Sequence, residues 1–317
     1  MESIFIPRYF WNGTHDEVCT NTAVLVRDNR IEQIDEPEKL RLGYPEAQVL
    51  ESKDWLMMPA FVDAHDHGRG MSPISFRTPD RALEMWLQDL NKLPAIPHYQ
   101  ACYYDGMRLV SSGVGMVLHS HNPNSFAKIR EEMVAAEKGY KDAGIRSILC
   151  PLYLDQNKRI YYDRDKFISD LPEPLRTNFA AGIHDKIMNM DEYFQLVEGI
   201  CEDLADDIKA GWTEVQLHPN GGQWCSDEAL LQMKEYALEH GMYIHLHLLE
   251  TQYQAEYAKR TWGKSFIKHY KEIGFLGPWV SFAHAVWLDE EDLQLIAESG
   301  AHLITNPSSN LRLRSGI

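Results

Sequence analysis

From residue 57 onward, short apolar runs alternate with longer amphipathic stretches, and no other feature restricts the fold as much. The apolar runs lie at 57–64, 113–119 (GVGMVLH), 145–153 (IRSILCPLY), 214–218 (EVQLH), 242–248 (MYIHLHL), 279–284 (WVSFAH) and 301–305 (AHLIT). Between them lie SFAKIREEMVAAEKGYKDAG, DEALLQMKEYALEHG and DEEDLQLIAESG. The last two open on acidic residues and close on Gly, which suits a helix dipole and a C-cap. Such alternation predicts an α/β fold around a parallel sheet. Seven strand candidates are one short of a closed eight-stranded barrel. Two long inserts, 66–112 and 154–212, lack a repeat, and the second, with Pro172 and Pro174, is expected to loop over the site.

Residues 1–56 read differently. SIFIPRYFW precedes a turn at Asn12-Gly13, AVLVRD and RIEQID flank a turn at Asp28-Asn29, and QVLESKDWLMM follows. Short strands joined by turn dipeptides predict a small β-domain over 1–56, followed by the barrel over 57–317.

Charge and composition exclude several classes. The net charge of −16 repels nucleic acid and anionic lipid, and no basic patch offsets it. No apolar run reaches the ~20 residues of a membrane helix, and MESIFIPRYFWNG lacks the n- and h-regions of a signal peptide. Five Cys without a Cys-x-x-Cys argue against both a disulfide framework and a thiolate zinc site. Cytoplasm is the expected compartment. A small-molecule substrate is the expected partner, with homo-oligomerisation left open.

Fourteen His are present, and their spacing carries the chemistry. Three His-x-His pairs occur, His65/His67, His119/His121 and His245/His247, where chance placement gives fewer than one. Residues two apart on a strand share a face, so a pair can hold one ion at ~2.0–2.1 Å Zn–N distances. A hydrogen-bonded polar strand end is the bland alternative for any one pair. Each pair ends an apolar strand candidate, as do His218 and His284. Five of seven strands thereby deliver His to the rim where barrels build active sites. Glu250 lies on the turn after the 242–248 strand, within reach of a metal-activated water, a natural place for a general base. A Glu opening a helix is the alternative. His245 is expected one layer below His247, and His119 and His121 either line the pocket or pack in the core. His15, His98, His184, His240, His269 and His302 read as ordinary. Trp86, at helical spacing with Leu83, Leu87 and Leu90, reads as core.

Three stretches resemble one family. MPAFVDAHDH is similar to the P-G-F-[IV]-D-x-H-x-H signature of the amidohydrolase superfamily, with Ala60 where Gly is usual. LHPN through HLHLLET, and FAHAVWLDEEDLQLIAESGAHLITNPSSNLRLRSGI, resemble its cytosine-deaminase, guanine-deaminase and triazine-hydrolase branch. The resemblance covers about 56–317. It implies a (β/α)8 TIM-barrel type fold with an N-terminal segment belonging to a composite β-sandwich. It also implies metal ligands His65, His67 and His247, Glu250 as proton shuttle, and His284 orienting water and polarising substrate. His218, Asn306, Ser309 and Asn310 become substrate-side residues. The fourth strand (TEVQLHPN) has no Lys, so one divalent ion is implied, with zinc first and iron the alternative. The branch's last ligand, an Asp on an eighth strand, has no counterpart before the sequence ends at Gly316-Ile317, so the chain reads as a truncated form or as a departure from the family that disables it. Hydrolytic deamination of a small aminated N-heterocycle is the implied reaction. Cleavage of another C–N or C–Cl bond, or of a cyclic amide, and a non-catalytic fragment are the alternatives.

Overall fold

Asp28 and Asn29 both take left-handed backbone, at φ 49° and 62°, and join two antiparallel strands in the two-residue turn their types favour. The computed structural model describes residues 2–14, 17–90, 92–156, 161, 163–181 and 188–316. His15 and His184 lie outside them. The chain divides into two compact units, Met1–Phe61 and Val62–Ile317. In the first, β1 (Glu2–Phe10), β2 (Ala23–Arg27), β3 (Arg30–Asp35) and β4 (Gln48–Met57) form a sheet ordered β3-β2-β1-β4. Alternate residues Ile4, Ile6, Ala23 and Leu25 face one side and bury Leu40 of α1 (Pro37–Gly43). That helix escaped the sequence reading. Pro37 starts it, where a missing N–H costs nothing.

In the second unit the strands are β5 (Phe61–Asp66), β6 (Val114–Ser120), β7 (Arg146–Cys150), β8 (Leu152–Tyr153), β9 (Thr213–Val215), β10 (His218–Pro219), β11 (Ile244–Leu248), β12 (Val280–His284) and β13 (His302–Ile304). They form parallel groups ordered β5-β6-β7-β9, β8-β10 and β11-β12-β13. Single parallel bridges at Leu217–Ile244 and Gly221–His247 join the second and third strand groups into one arc. Each of the seven strand candidates is found, two of them split in two by a short break.

The helices are α2 (Leu83–Leu90), α3 (His98–Ser111), α4 (Ile129–Asp142), α5 (Arg164–Asp170), α6 (Leu175–Ala181), α7 (Met190–Asp203), α8 (Ala205–Ala210), α9 (Asp227–His240), α10 (Gln252–Trp262), α11 (Phe266–Glu272), α12 (Glu290–Ser299) and α13 (Pro307–Arg312). Ser226 caps α9 and Gly241 ends it at φ 65°. Asp289 and Asp292 form a reciprocal cap on α12, so both boundaries follow the local signals. The described part of the 154–212 insert is largely helical (α5 to α8) rather than an open loop. No described helix is long and apolar enough to cross a membrane.

Strand β11 shows how the arc aims its imidazoles. Ile244, Leu246 and Leu248 are fully buried and belong to the main apolar core, each worth roughly 1.5–3 kcal/mol. His245 and His247 alternate with them and take the opposite face. A one-residue slip would exchange the two sets, so the apolar residues fix where the imidazoles point.

Candidate active site

Parallel register brings the strand ends level. Leu248 pairs with His284 across β11 and β12, Ser120 with Cys150 across β6 and β7, and Gly221 bridges His247. His65 and His67 arrive from the end of β5. Ring centroids of His65 and His67 are 5.0 Å apart, of His65 and His247 4.8 Å, and of His67 and His247 5.3 Å.

The remaining ring nitrogens are fixed from behind. His67 Nδ1 lies 2.8 Å from the Ser120 carbonyl oxygen and 2.7 Å from the Asn122 amide nitrogen. His247 Nδ1 donates to the Asn220 carbonyl at 2.5 Å. When Nδ1 of each ring donates to its carbonyl, both Nε2 atoms are left with lone pairs, and these face each other at 3.4 Å. Two lone pairs at that separation are satisfied by a cation between them, as they are in the other tautomer by a proton on one nitrogen. The spacing matches the ~3.3 Å edge of a tetrahedron with ~2.0–2.1 Å Zn–N bonds. His65 Nδ1 meets His245 Nε2 at 2.8 Å, and His65 Nε2 is buried with no hydrogen-bond partner. Burial, before any neighbouring charge, holds all three imidazoles well below the usual His range, so they are neutral, the form that binds metal. These residues fit a divalent ion.

One donor atom each from His65, His247 and His284 also falls within 4.8 Å of the others. We favour His67 over His284 as the third ligand. His284 Nδ1 donates to Asn310 Oδ1 at 2.8 Å and its Nε2 faces Glu250 Oε2 at 3.6 Å, so its free lone pair is turned to the carboxyl group. Burial lowers His284 to about 4 and raises Glu250 to about 8, with Glu84 adding to the rise. At neutral pH the Glu250 carboxyl is therefore protonated and the His284 ring neutral. The chain is bent to make this contact. Leu249, His284 and Ala285 take left-handed backbone, at φ 48°, 73° and 48°, a cost of ~1–3 kcal/mol each. The Ala285 N–H holds the bend by donating to the Leu248 carbonyl at 2.8 Å.

The remaining expected residues divide. Asn310 is in place on His284. His218 has both ring nitrogens engaged, Nε2 with Ser120 Oγ at 2.8 Å and Nδ1 with the His245 carbonyl at 2.5 Å. Asn306 sits at the first position before α13 without a side-chain cap hydrogen bond, and its amide donates to the Ile304 carbonyl at 3.4 Å. Among the described residues, neither Asn306 nor Ser309 makes a side-chain hydrogen bond to the His cluster. Trp86 packs with Leu83 and Leu313, as its spacing predicts, and Arg69 stacks on its ring at 5.3 Å. His245 sits one layer below His247, between His65 and Ser281. His119 and His121 face away from the rim, because Ser120 between them faces inward to His218.

Sequence reasoning missed Asn122, Ser120, Glu84 and Thr251. The Thr251 hydroxyl donates to Glu84 Oε1 at 2.6 Å, while Glu84 Oε2 is buried without a partner. The Asn122 amide follows a His-x-His pair in sequence, and that adjacency was its only signal. Glu84 had none. Gly68, directly after His67, sits at φ 62°, and a Cβ there would lie 2.5 Å from His119 and 2.7 Å from the Tyr140 hydroxyl. Only glycine fits.

The sequence model of the amidohydrolase family matches residues 56–317. A 5'-deoxyadenosine deaminase of Methanosarcina barkeri (strain Fusaro / DSM 804) is 26% identical over 302 residues, 94% of this chain and 60% of that protein. A 5-methylthioadenosine/S-adenosylhomocysteine deaminase of Thermodesulfovibrio yellowstonii is 27% identical over 308 residues, 95% of this chain and 62% of that protein. The chain thus spans about three fifths of the length of these relatives. Among solved structures, an adenosine deaminase from Xanthomonas campestris with bound zinc superposes with a TM-score of 0.76 at 20% identity, over 99% of this chain and 64% of the other. A guanine deaminase from C. acetobutylicum with bound guanine gives 0.70 at 15% identity, over 100% and 70%. These likenesses establish the fold as the α/β, TIM-barrel type.

Proposed function

The chain belongs to the amidohydrolase family, and from that premise we propose that it is a metal-dependent hydrolase that deaminates a small aminated N-heterocycle. Adenosine-type nucleosides are the favoured substrate class, because the curated relatives act on 5'-deoxyadenosine and 5-methylthioadenosine. His65, His67 and His247 hold one divalent ion, zinc in this reading. Bound there, the ion supplies a Lewis acid that makes water a usable nucleophile at neutral pH.

Glu250 carries the proton. Its carboxyl takes one from the attacking water and returns one to the ring nitrogen or the leaving ammonia. A cation held by the three neutral imidazoles would favour the carboxylate and draw Glu250 down from about 8 toward the working pH. His284, held neutral and fixed by Asn310, orients the water and polarises the ring. Asn306, Ser309 and His218 lie on the substrate side, and His218 reaches substrate only by giving up the Ser120 hydroxyl. The observation that carries this reading is the buried Glu250 carboxyl facing His284 at 3.6 Å, with the Nε2 atoms of His67 and His247 3.4 Å apart.

The test is turnover by the zinc-loaded protein, read as ammonia release and as product formation, on a panel holding 5'-deoxyadenosine, 5-methylthioadenosine, guanine, a chlorotriazine, a dipeptide and a phosphoester. Release from a purine substrate, lost in Glu250→Gln with zinc content retained, is expected. Turnover confined to chloride release would change the bond cleaved. Turnover confined to peptides or phosphoesters would overturn the reading.

A further inference from the structure

We propose that His98, His119 and His121, supported by Glu132, form a second divalent-metal site on the outer face of β6, separate from the ion at the rim. Val117 and His119 share one face of β6, and Val117 packs with Cys102 of α3 and with Ala136 and Tyr140 of α4. His119 and His121 therefore point between sheet and helices, while Ser120 points inward. One donor atom from each of His98, His119 and His121 lies within 4.8 Å of the other two. His119 Nε2 and His121 Nδ1 are 3.1 Å apart, near the ~3.3 Å tetrahedral edge of a zinc site with ~2.0–2.1 Å bonds.

The outward nitrogens are tethered as metal-binding imidazoles usually are. His119 Nδ1 meets the Tyr140 hydroxyl at 3.1 Å, and His121 Nε2 meets Glu132 Oε2 at 3.2 Å. Glu132 is fixed in turn by the Asn124 and Ser125 amides, each at 3.0 Å. Carboxylate–imidazole–metal chains of this kind are standard outer-shell architecture. A hydrogen bond between His119 and His121 alone accounts for those two rings. It leaves out His98, whose buried Nε2 lies 3.2 Å from Glu132 Oε2, an ion pair only when the ring is protonated. A neutral His98 offers one ring nitrogen to an ion shared with the other two rings. The ligand chemistry is that of a borderline divalent ion taken by neutral imidazoles, with zinc the natural choice. The ion would clip the first residue of α3 and the first turn of α4 to the end of β6. Its role is to fix the strand whose Ser120 carbonyl and Asn122 amide orient His67.

The experiment is a titration of the metal-stripped full chain with zinc alone, read as bound equivalents after dialysis and as melting temperature. Two equivalents are expected in the wild type and one in His98→Asn. A chain carrying His65→Ala, His67→Ala and His247→Ala is expected to keep one equivalent and a zinc-dependent rise in melting temperature, both lost when His121→Ala is added. If that combined variant does not fold, cobalt(II) replaces zinc in the wild type and in His98→Asn. Loss of one set of visible d–d bands in His98→Asn supports the site, and unchanged bands overturn it. A folded rim-deleted variant that binds no zinc, or a His98→Asn variant that keeps every equivalent, also overturns it.

Discussion

Glu250 and Glu132 both face imidazoles at the C-terminal ends of the strands, and they are held in opposite ways. The Glu132 oxygens accept from the Asn124 and Ser125 amides and from His121. Among the described residues, none donates a hydrogen bond to the Glu250 carboxylate, whose near neighbour His284 stands at 3.6 Å. A carboxylate saturated by fixed donors serves as an anchor. One stripped of donors and buried holds a proton until charge nearby draws it off. The same residue types, on two faces of one barrel wall, thus give one cluster suited to chemistry and one suited to holding elements together.

The sharpest way to break this contrast is a pair of isosteric changes. Glu250→Gln should cut turnover about 10²–10⁴-fold with zinc content unchanged, whereas Glu132→Gln should lower the melting temperature and leave kcat within a few-fold. Equal losses of turnover in both variants would erase the distinction.

Acid should loosen both clusters. His284 is held at about 4, and burial keeps His65, His67, His119, His121, His245 and His247 well below the usual range. Their unfolded forms take up protons near pH 6.5, while the folded forms do not until lower pH. The stability these imidazoles contribute is therefore fully present above pH 6.5 and is lost as pH falls towards 4, by about 3 kcal/mol from His284 alone. Glu250, raised to about 8, contributes in the opposite sense, its stability lost as pH rises towards 8. Urea unfolding of the metal-free chain and of its His284→Asn variant at pH 7.5, 5.5 and 4.5 separates the two, and a difference between the two chains that does not change with pH would contradict the His284 part.

A smaller effect separates the supports from the ligands. Asn122→Ala removes an amide beside His67 Nδ1 and should weaken zinc at the rim about 10–100-fold, measured by competition with a chelator. Affinity at the outer cluster should not change. The subtlest test is Glu84→Gln. Removing that neighbouring negative charge should shift the Glu250 limb of the kcat/KM profile toward acid, because the Glu84 charge raises it. A limb that stays in place would assign it to another group.

The amino-acid sequence by itself determined where along the chain the parallel strands fall, since period-two and amphipathic patterns are local, while their breaks and their pairing order came from the fold. It also placed His65, His67, His247, His284 and Glu250 at strand ends, because a strand end is visible wherever an apolar run stops. Three His-x-His pairs looked alike on that basis. Tertiary structure decided which way each pair points. On β11 the residues between the imidazoles, Leu246 and its neighbours, belong to the core under the helices, so His245 and His247 face inward. On β6 it is Val117, in step with His119, that meets α3 and α4, so His119 and His121 face outward. Strand parity is fixed by which alternate set buries more apolar surface against its neighbours, and those neighbours come from distant sequence. For the same reason His98 read as ordinary and Glu84 went unseen. Each acquires its role only from partners that the fold carries to it.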